Sequence, residues 1–87
     1  YLAVELAPRG IRINCVAPGT IESPYFNEIL AKSANAAELR QVLQARQPME
    51  RMGQPVEIAR AILFLASDDA SFCTGTTLFA DGGWTAR

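Results

Sequence analysis

The sequence predicts an α/β protein in which a parallel pair of strands is joined by helices. Two short β-prone runs, residues 11–16 and 76–80, are separated by a long stretch with helical periodicity. Parallel strands need a crossover connection, and helices of this length supply one. The 87 residues are 49% hydrophobic and 20% charged, with a formal net charge of −1, which is the composition of an ordinary globular domain.

Composition also excludes several classes of function. The chain has no histidine, which removes Ser-His-Asp and Cys-His catalysis and metalloprotease sites. Cys15 and Cys73 lie far apart without a CxxC pair, so we expect no metal site and no disulfide scaffold, and we predict a reduced, cytoplasmic compartment. The near-neutral charge and the lack of a long apolar run lead us to expect no nucleic-acid or membrane partner.

The first elements are a helix end and a strand. Residues 2–7 are helix-forming, and Pro8 and Gly10 end the helix. Residues 11–16 then alternate between apolar and polar, which predicts a strand. The run 17–20, Ala-Pro-Gly-Thr, ends that strand.

Two helices are predicted next, each from a start signal. Ser23 followed by Pro24 is an N-cap with proline at the first helical position. Asn35 with Glu38 three residues later resembles a capping box, which predicts a second helix. The apolar positions are Phe26, Ile29 and Leu30 in the first helix and Leu39, Val42 and Leu43 in the second.

Pro55 begins the helix with the strongest sequence signal, which runs to about Ser67. Its apolar residues cover so much of the helix surface that we expect packing on more than one side. The second strand, 76–80, ends at the turn 81–83. Two parallel strands do not form a stable sheet alone, so further strands must come from elsewhere. Because the chain also opens inside a helix without an initiator Met, we expect it to be a piece of a larger protein.

Pro18, Gly19 and Thr20 are the most informative residues. They follow the carboxyl end of a predicted parallel strand, where open α/β sheets bind ligands. Gly19 would let the backbone approach a ligand and Pro18 would fix the direction of approach, while Thr20 and Ser23 offer hydroxyl groups. The helix that begins after Ser23 presents N–H groups suited to an anion. The alternative is that Pro-Gly forms an ordinary turn.

Three blocks of sequence, in order, resemble the short-chain dehydrogenase/reductase family. Residues 5–20 read ELAPRGIRINCVAPGT, and residues 51–59 read RMGQPVEIA. The third block runs from FLASD at 64–68 through TG at 74–75 to DGGW at 81–84. The blocks span nearly the whole chain, and they correspond to the C-terminal third of a family member.

The resemblance implies a doubly wound Rossmann fold, of which residues 1–87 would supply the last two strands and the flanking helices. It implies a nicotinamide dinucleotide cofactor, NAD with NADP not excluded, and hydride transfer between a hydroxyl and a carbonyl. The positions of Pro18, Gly19, Thr20 and Ile21 line the nicotinamide half of the cofactor in the family, and that of Ser23 touches its carboxamide or pyrophosphate. Family members are commonly homo-oligomers, by analogy tetramers.

The catalytic residues of the family are absent from this chain. Tyr1 is followed four positions later by Glu5 rather than by Lys, so it does not match the catalytic Tyr-x-x-x-Lys. The Gly-rich phosphate turn and the residue that selects the cofactor are also missing. We therefore assign no catalytic residue here and expect the isolated piece to be inactive.

Residues 22–49 match the family's variable substrate-binding lid. Their pattern is similar to type 2 3-hydroxybutyrate and 2-keto-3-deoxy sugar-acid dehydrogenases, which implies a small hydroxy-acid or sugar-acid substrate. In that subgroup an Arg at the position of Arg46 contacts the substrate carboxylate, as a guanidinium can do with two bonds. The subgroup's other lid arginine is Ser33 here. The alternative for Arg46 is a solvated charge that favours a helix C-terminus.

The sequence leaves two alternative functions open, and the remaining candidate residues have structural interpretations. The whole chain could instead be a non-catalytic interaction module, or part of a family reductase acting on an acyl-carrier or steroid-like substrate. Glu57 and Arg60 read as a surface pair, and Asp68 and Asp69 as solvated charges. Cys15 and Cys73 read as small core residues. Phe79 and Trp84 are expected at an oligomer interface or at the edge of the core.

Overall fold

The computed structural model describes residues 2–86, which form a two-stranded parallel sheet with four α-helices. The helices are α1 (Leu2–Leu6), α2 (Pro24–Ala31), α3 (Ala36–Ala45) and α4 (Pro55–Ala66), and the strands are β1 (Cys15–Pro18) and β2 (Thr77–Ala80). The strands pair in parallel, from Cys15 opposite Thr77 to Pro18 opposite Ala80. The predicted α/β class and parallel pair are therefore confirmed. Tyr1 lies outside the described residues.

Strand β1 begins later than the alternating pattern predicts. Residues 11–14 lie beside the turn that precedes β2, where Ile13 accepts a backbone hydrogen bond from Gly75 over 2.8 Å. The Ile13 N–H donates to the Thr74 hydroxyl over 3.1 Å, and the ladder itself begins where the Cys15 N–H bonds to the Thr76 carbonyl. The turn bends away from the strand direction at Gly75, whose φ is +73°. Residues 11–14 alternate as predicted, but they lie beside a turn and not beside a strand, so they form no ladder.

Two polar side chains join the segment before β1 to distant parts of the chain. Arg12 donates to the carbonyls of Leu65, Ser67 and Cys73 over 2.9, 3.1 and 3.1 Å. Asn14 donates to the Cys73 carbonyl over 2.9 Å and accepts from the N–H of Thr76. The last carbonyls of a helix lack partners inside the helix, so Arg12 completes the C-terminal end of α4.

Helix α4 packs on one face only within residues 2–86. Leu65 is buried, and α4 contacts both strands. Ile62, Leu63 and Phe64 remain 53%, 67% and 43% exposed. The expected packing on more than one side is therefore wrong for this chain taken alone, because the two strands and their loops reach one side of the helix.

The core is small, and the cysteines are not part of it. The buried hydrophobic residues are Ala3, Leu30, Met52, Leu65 and Ala70. Cys15 is exposed and Cys73 is half-buried, and both thiols are unpaired, so the prediction of two core cysteines is wrong for this chain. Cys15 is the first residue of β1, and its side chain is left exposed there.

Helix starts are confirmed at two sites and corrected at a third. The Ser23 hydroxyl accepts from the N–H of Phe26 over 3.1 Å, as an N-cap should. Asn35 precedes α3 but its side chain makes no capping bond, so the predicted capping box there is wrong. The Glu57 carboxylate instead reaches back to the N–H of Gln54 at the start of α4, over 2.9 Å. Among the residues described, no helix is both long and apolar enough to cross a bilayer.

Candidate functional site

The two strands end side by side, and the chain turns sharply after each. Pro18 at the end of β1 lies opposite Ala80 at the end of β2. The Gly19 N–H extends the ladder by one bond to the Ala80 carbonyl, over 3.1 Å. The carboxyl ends of both strands therefore open at one edge, which is where ligands bind in open α/β sheets. We call residues 18–21 the corner.

Gly19 sits where the structure leaves no space for a side chain. A Cβ atom on Gly19 would lie 2.8 Å from the Asp81 Cα and closer still to the side-chain oxygen of Gln47. Sequence reasoning assigned this glycine to the close approach of a ligand. In the structure, the atoms that approach Gly19 belong to Gln47 and Asp81 of the chain itself. Packing alone therefore explains why position 19 requires glycine, without a ligand.

The backbone of Thr20 is bonded on both sides. Its N–H donates to the Oε1 atom of Gln47 over 2.6 Å, and its carbonyl accepts from the N–H of Gly53 over 2.9 Å. The side chain of Thr20 is therefore the part of this residue with hydrogen-bonding groups left for a ligand. Sequence reasoning did not find Gln47, because a glutamine between a helix and a proline carries no pattern that distinguishes it from a surface residue.

Ile21 forms an isolated parallel bridge with Gly53. Beside it, the N–H of Glu22 donates to the Gly53 carbonyl over 2.8 Å. The Thr20–Gly53 and Glu22–Gly53 bonds hold the two ends of the 22–49 segment near one another. The segment therefore leaves and returns to the sheet at one place.

The 22–49 segment is an αα-hairpin with an internal ion pair. It contains α2 and α3. Arg40 on α3 donates to the Glu22 carboxylate over 2.7 Å and to the Asn27 side chain over 2.9 Å. Arg40 thus connects α3 to the start of α2 by side-chain bonds. Tyr25, Ile29 and Val42 leave apolar surface of the hairpin exposed.

Ser23, just before α2, supplies a donor beside the corner. The Ser23 oxygen accepts from Phe26, and its hydroxyl hydrogen is chemically a donor. Together with the Thr20 hydroxyl, this is a pair of neutral donors next to a helix N-terminus. Pro24 has no N–H, and the N–H groups of Phe26 and Asn27 already bond to Ser23. The two hydroxyl donors fit the amide and phosphate oxygens of a dinucleotide.

Arg46 contacts the final described turn of the chain. Its guanidinium group stands over the ring of Trp84, 5.0 Å from the ring centroid, and the residue is exposed at the end of α3. This is the geometry of a cation–π contact. The neighbouring residue, Gln47, contacts the corner, whereas Arg46 extends toward the final described turn.

Asp81 orders the chain after β2. It is buried, and it accepts hydrogen bonds from the Thr85 hydroxyl over 2.7 Å, from the Thr85 N–H over 3.1 Å and from the Gly83 N–H over 3.0 Å. The hydroxyl bond from Thr85, with the two backbone bonds, lowers the pKa of Asp81. Asp81 is therefore a structural acceptor for its own turn.

Glu57 pairs with Arg51, which corrects the expected pairing with Arg60. Two bonds, of 2.8 and 2.9 Å, join the Arg51 guanidinium to the Glu57 carboxylate. The Arg51 bonds, followed by the Gln54 N–H, lower the pKa of Glu57 to about 2. Arg60 acts on Glu57 only as a more distant positive charge.

A cleft lies next to the corner without including it. It has a volume of about 490 Å³ and lies between the end of the 22–49 segment, the start of α4 and the turn after β2. Gln47, Arg51 and Asp81 line it. The predicted cofactor residues 18–21 and 23 do not, so the structure places them together at the strand ends, outside this cleft.

A family model described as enoyl-(acyl carrier protein) reductase matches residues 1–85. The chain is 46% identical over 83 residues to an L-fucose dehydrogenase of Bos taurus, covering 94% of this chain and 30% of that protein. It is 46% identical over 84 residues to a cis-4-hydroxycyclohexanecarboxylate dehydrogenase of Sinomonas cyclohexanicum, covering 97% of this chain and 31% of that protein. The chain thus spans about a third of the length of these relatives.

The fold has matching solved structures as well. A putative short-chain dehydrogenase/reductase from Burkholderia xenovorans is similar with a TM-score of 0.92 and 43% sequence identity, covering 99% of this chain and 33% of that one. The two strands, their helices and the hairpin between them therefore match part of a Rossmann-fold enzyme. On this fold and on the family match over residues 1–85, the chain belongs to the short-chain dehydrogenase/reductase family of oxidoreductases.

Proposed function

We propose that this chain is the C-terminal part of an NAD(P)-dependent oxidoreductase subunit that interconverts a hydroxyl and a carbonyl by hydride transfer. One observation carries the proposal: the ends of β1 and β2 meet at a glycine corner that leads at once into the N-terminus of α2. That arrangement is suited to one half of a dinucleotide site. Family membership and the names of the relatives support the reaction class.

The bound dinucleotide would supply the hydride acceptor or donor, and the residues of this chain would position it. Pro18, Gly19 and Ile21 would line the nicotinamide with main-chain and apolar atoms, and Thr20 and Ser23 would offer hydroxyl donors. NAD is the cofactor we propose first, with NADP as the alternative. The side chains that move protons during the reaction lie outside this chain.

The 22–49 segment is proposed as the lid over the substrate. Its ends are tied at Gly53, and its apolar hairpin surface could exclude water when it closes over a bound substrate. We propose a hydroxy acid or a sugar acid as the substrate, held through its carboxylate by Arg46. The named substrate of one relative, a hydroxylated carboxylate, belongs to the first of these classes. The named substrate of another, L-fucose, is a sugar without a carboxylate.

The test begins with the whole reading frame that contains this chain. The purified protein should reduce NAD⁺ or NADP⁺, followed by absorbance at 340 nm, with hydroxy acids among its substrates. Arg46→Ala is expected to raise KM for carboxylate substrates at least tenfold, since a charge-assisted bond contributes about 1.5–3 kcal/mol. KM for neutral alcohols should not change.

Two controls make the Arg46 test specific. Arg9→Ala removes a similar exposed charge from the turn after α1, far along the chain from the lid, and should leave both KM values unchanged. Trp84→Phe keeps an aromatic face under Arg46 and should have only a small effect. An equal rise in KM for acids and for neutral alcohols would reject the acid-binding role of Arg46.

Two alternatives are supported by particular observations. The family model's description favours a reductase acting on acyl-carrier substrates, which would show as activity on acyl thioesters and none on hydroxy acids. The exposed apolar residues of α4 favour a non-catalytic interaction module if the reading frame encodes nothing more than this chain. A protein that binds no nicotinamide dinucleotide would support the module.

We also propose that the complete protein is a cytoplasmic homo-oligomer, by analogy a tetramer. Phe79 and Trp84 are 54% and 42% exposed near the end of the chain, as expected for residues that a second subunit covers. The unpaired thiols of Cys15 and Cys73 suit a reducing compartment. Light scattering after gel filtration would measure the number of subunits, and a monomer would contradict this proposal.

A further inference from the structure

Gln47 is the most deeply buried large side chain among the residues described, with 1% of its surface exposed. A buried amide needs partners for both of its ends. Gln47 has them, since Oε1 accepts from the Thr20 N–H over 2.6 Å and Nε2 donates to the Arg51 carbonyl. One side chain thus connects the corner to the loop that returns from the 22–49 segment to α4.

The surroundings of Gln47 are built to admit it. A Cβ atom on Gly19 would collide with the amide oxygen of Gln47, and a Cβ atom on Gly82 would lie 3.2 Å from its Cβ atom. Gly19, directly after β1, and Gly82, two residues after β2, therefore both lack a side chain where Gln47 packs. The Met49 N–H also bonds to the Gly82 carbonyl over 3.0 Å, which holds the chain after Gln47 against the end of β2.

The corner is held by main-chain bonds and by one side-chain bond, from Gln47. The bonds between Thr20, Glu22 and Gly53 use backbone atoms, which almost any side chain permits. The bond to the Thr20 N–H depends on the side chain of Gln47. The identity of residue 47 therefore decides whether the N–H of Thr20 has its partner.

We propose that Gln47 is a positioning residue for the cofactor-facing corner. It fixes the peptide between Gly19 and Thr20, and so the direction in which the Thr20 side chain leaves the backbone. It also joins this peptide to the loop at the C-terminal end of the proposed lid, through the bond to Arg51. The orientation of the corner is therefore coupled to the conformation of that loop. The inference rests on the proposed cofactor function of residues 18–21.

The test removes both hydrogen-bonding ends of Gln47 in one variant and only its amide donor in another. Gln47→Met keeps a similar unbranched volume and removes both bonds. Gln47→Glu keeps an oxygen that accepts from Thr20 and loses the amide donor to Arg51. Burial opposite the Arg51 carbonyl disfavours the charged form of this carboxyl and holds it neutral. Gln41→Met makes the same chemical change at an exposed position of α3 and serves as the matched control. All four proteins are made from the whole reading frame.

Two measurements are compared for each variant. The first is the dissociation constant of the dinucleotide, from calorimetry on folded protein without substrate. The second is amide hydrogen exchange of the peptide containing residues 18–23, without any ligand. Thr20 should exchange faster in Gln47→Met, because its N–H loses its acceptor, and remain protected in Gln47→Glu and in the Gln41→Met control.

Gln47→Met is expected to weaken dinucleotide binding about tenfold to hundredfold, because it leaves the Thr20 N–H without an acceptor and an unsatisfied buried donor is costly. Gln47→Glu keeps that acceptor, so its dissociation constant should stay within about threefold of that of the original protein. If Gln47 merely filled space, both variants would lower the melting temperature without this difference in affinity. Unchanged affinity in Gln47→Met, or an equal loss in Gln47→Glu, would overturn the proposal.

The outcomes also separate this proposal from the one on which it rests. If Gln47→Met does not fold, Gln47→Glu alone decides, since retained affinity together with retained protection of Thr20 supports the positioning role and loss of either contradicts it. If the original protein binds neither NAD nor NADP, the proposed function fails. The hydrogen-exchange comparison then shows separately whether Gln47 holds the corner.

Discussion

Replacement of Gly19 by alanine tests the packing at the strand ends directly. The added Cβ would lie 2.8 Å from the Asp81 Cα and 3.0 Å from the Asp81 Cβ, besides striking the Gln47 amide oxygen. Optimal carbon–carbon contacts are about 3.5–4.0 Å, so the backbone after β2 must move. The backbone of Gly19 is not left-handed, so the cost of the alanine comes from crowding.

The expected loss of stability follows from two contributions. Overpacking of this kind costs about 1–3 kcal/mol. Displacement of Gln47 leaves the Thr20 N–H without its acceptor, which costs about 1–3 kcal/mol. Alanine returns about 0.4–1 kcal/mol by restricting the unfolded chain. The two costs overlap, since moving one group relieves the other, so we expect Gly19→Ala to destabilise the protein by about 2–4 kcal/mol.

Gly53→Ala is the matched control for crowding. A Cβ on Gly53 would meet the Ile21 Cδ1 at 2.9 Å, which is the end of a side chain that can rotate away. The cost should therefore be below about 1 kcal/mol. Urea denaturation of both variants in the complete protein, followed by circular dichroism, gives the comparison. A Gly19→Ala variant no less stable than Gly53→Ala would refute the contact with Asp81 and Gln47.

Further expectations concern the pH dependence of stability, the half-buried Arg12 and the isolated chain. Because the bonds from Arg51 lower the folded pKa of Glu57 to about 2, the Glu57–Arg51 ion pair contributes to stability above the ordinary pKa of 4.5, and this contribution is lost as the pH falls toward 2. Glu57→Gln should therefore reduce the fall in melting temperature on acidification. An unchanged fall would contradict the ion pair. Arg12→Met leaves three carbonyls without their donor and should destabilise the protein by about 2–3 kcal/mol, against no change for Arg9→Met. The 87-residue chain alone should aggregate or be poorly ordered in gel filtration and circular dichroism, since its apolar surfaces lack partners, and a cooperatively melting monomer would contradict this.

Local patterns predicted the elements, and they did so where the signal lies within a few residues. The Ser23-Pro24 start of α2 and the Pro55 start of α4 are examples, since both depend on nearest neighbours along the chain. The alternating run before β1 shows the limit of this approach. It describes which side chains share a face, but the ladder begins only where the partner strand β2 begins.

The residues that sequence reasoning missed are polar and act across long sequence separations. Gln47 bonds to Thr20, Arg12 bonds to the end of α4 and to the chain after it, and Asn14 bonds to the chain after α4. A polar residue in a loop has the same local pattern whether it is solvated or buried, so its partner becomes visible only once the fold brings them together. Arg46 was singled out by the resemblance, and the structure shows that its immediate neighbour contacts the corner.

The main-chain bonds at Gly53 have a consequence for how this hairpin can vary. They join the entry and exit of a stretch of some thirty residues without using any side chain of that stretch. Doubling the length of a tethered loop costs only about 0.6 kcal/mol in closure entropy. Insertions, deletions and exchanges between Pro24 and Ala45 therefore disturb the sheet little. Evolution or design can therefore exchange this hairpin for one of another length or sequence while its two ends stay bonded at Gly53.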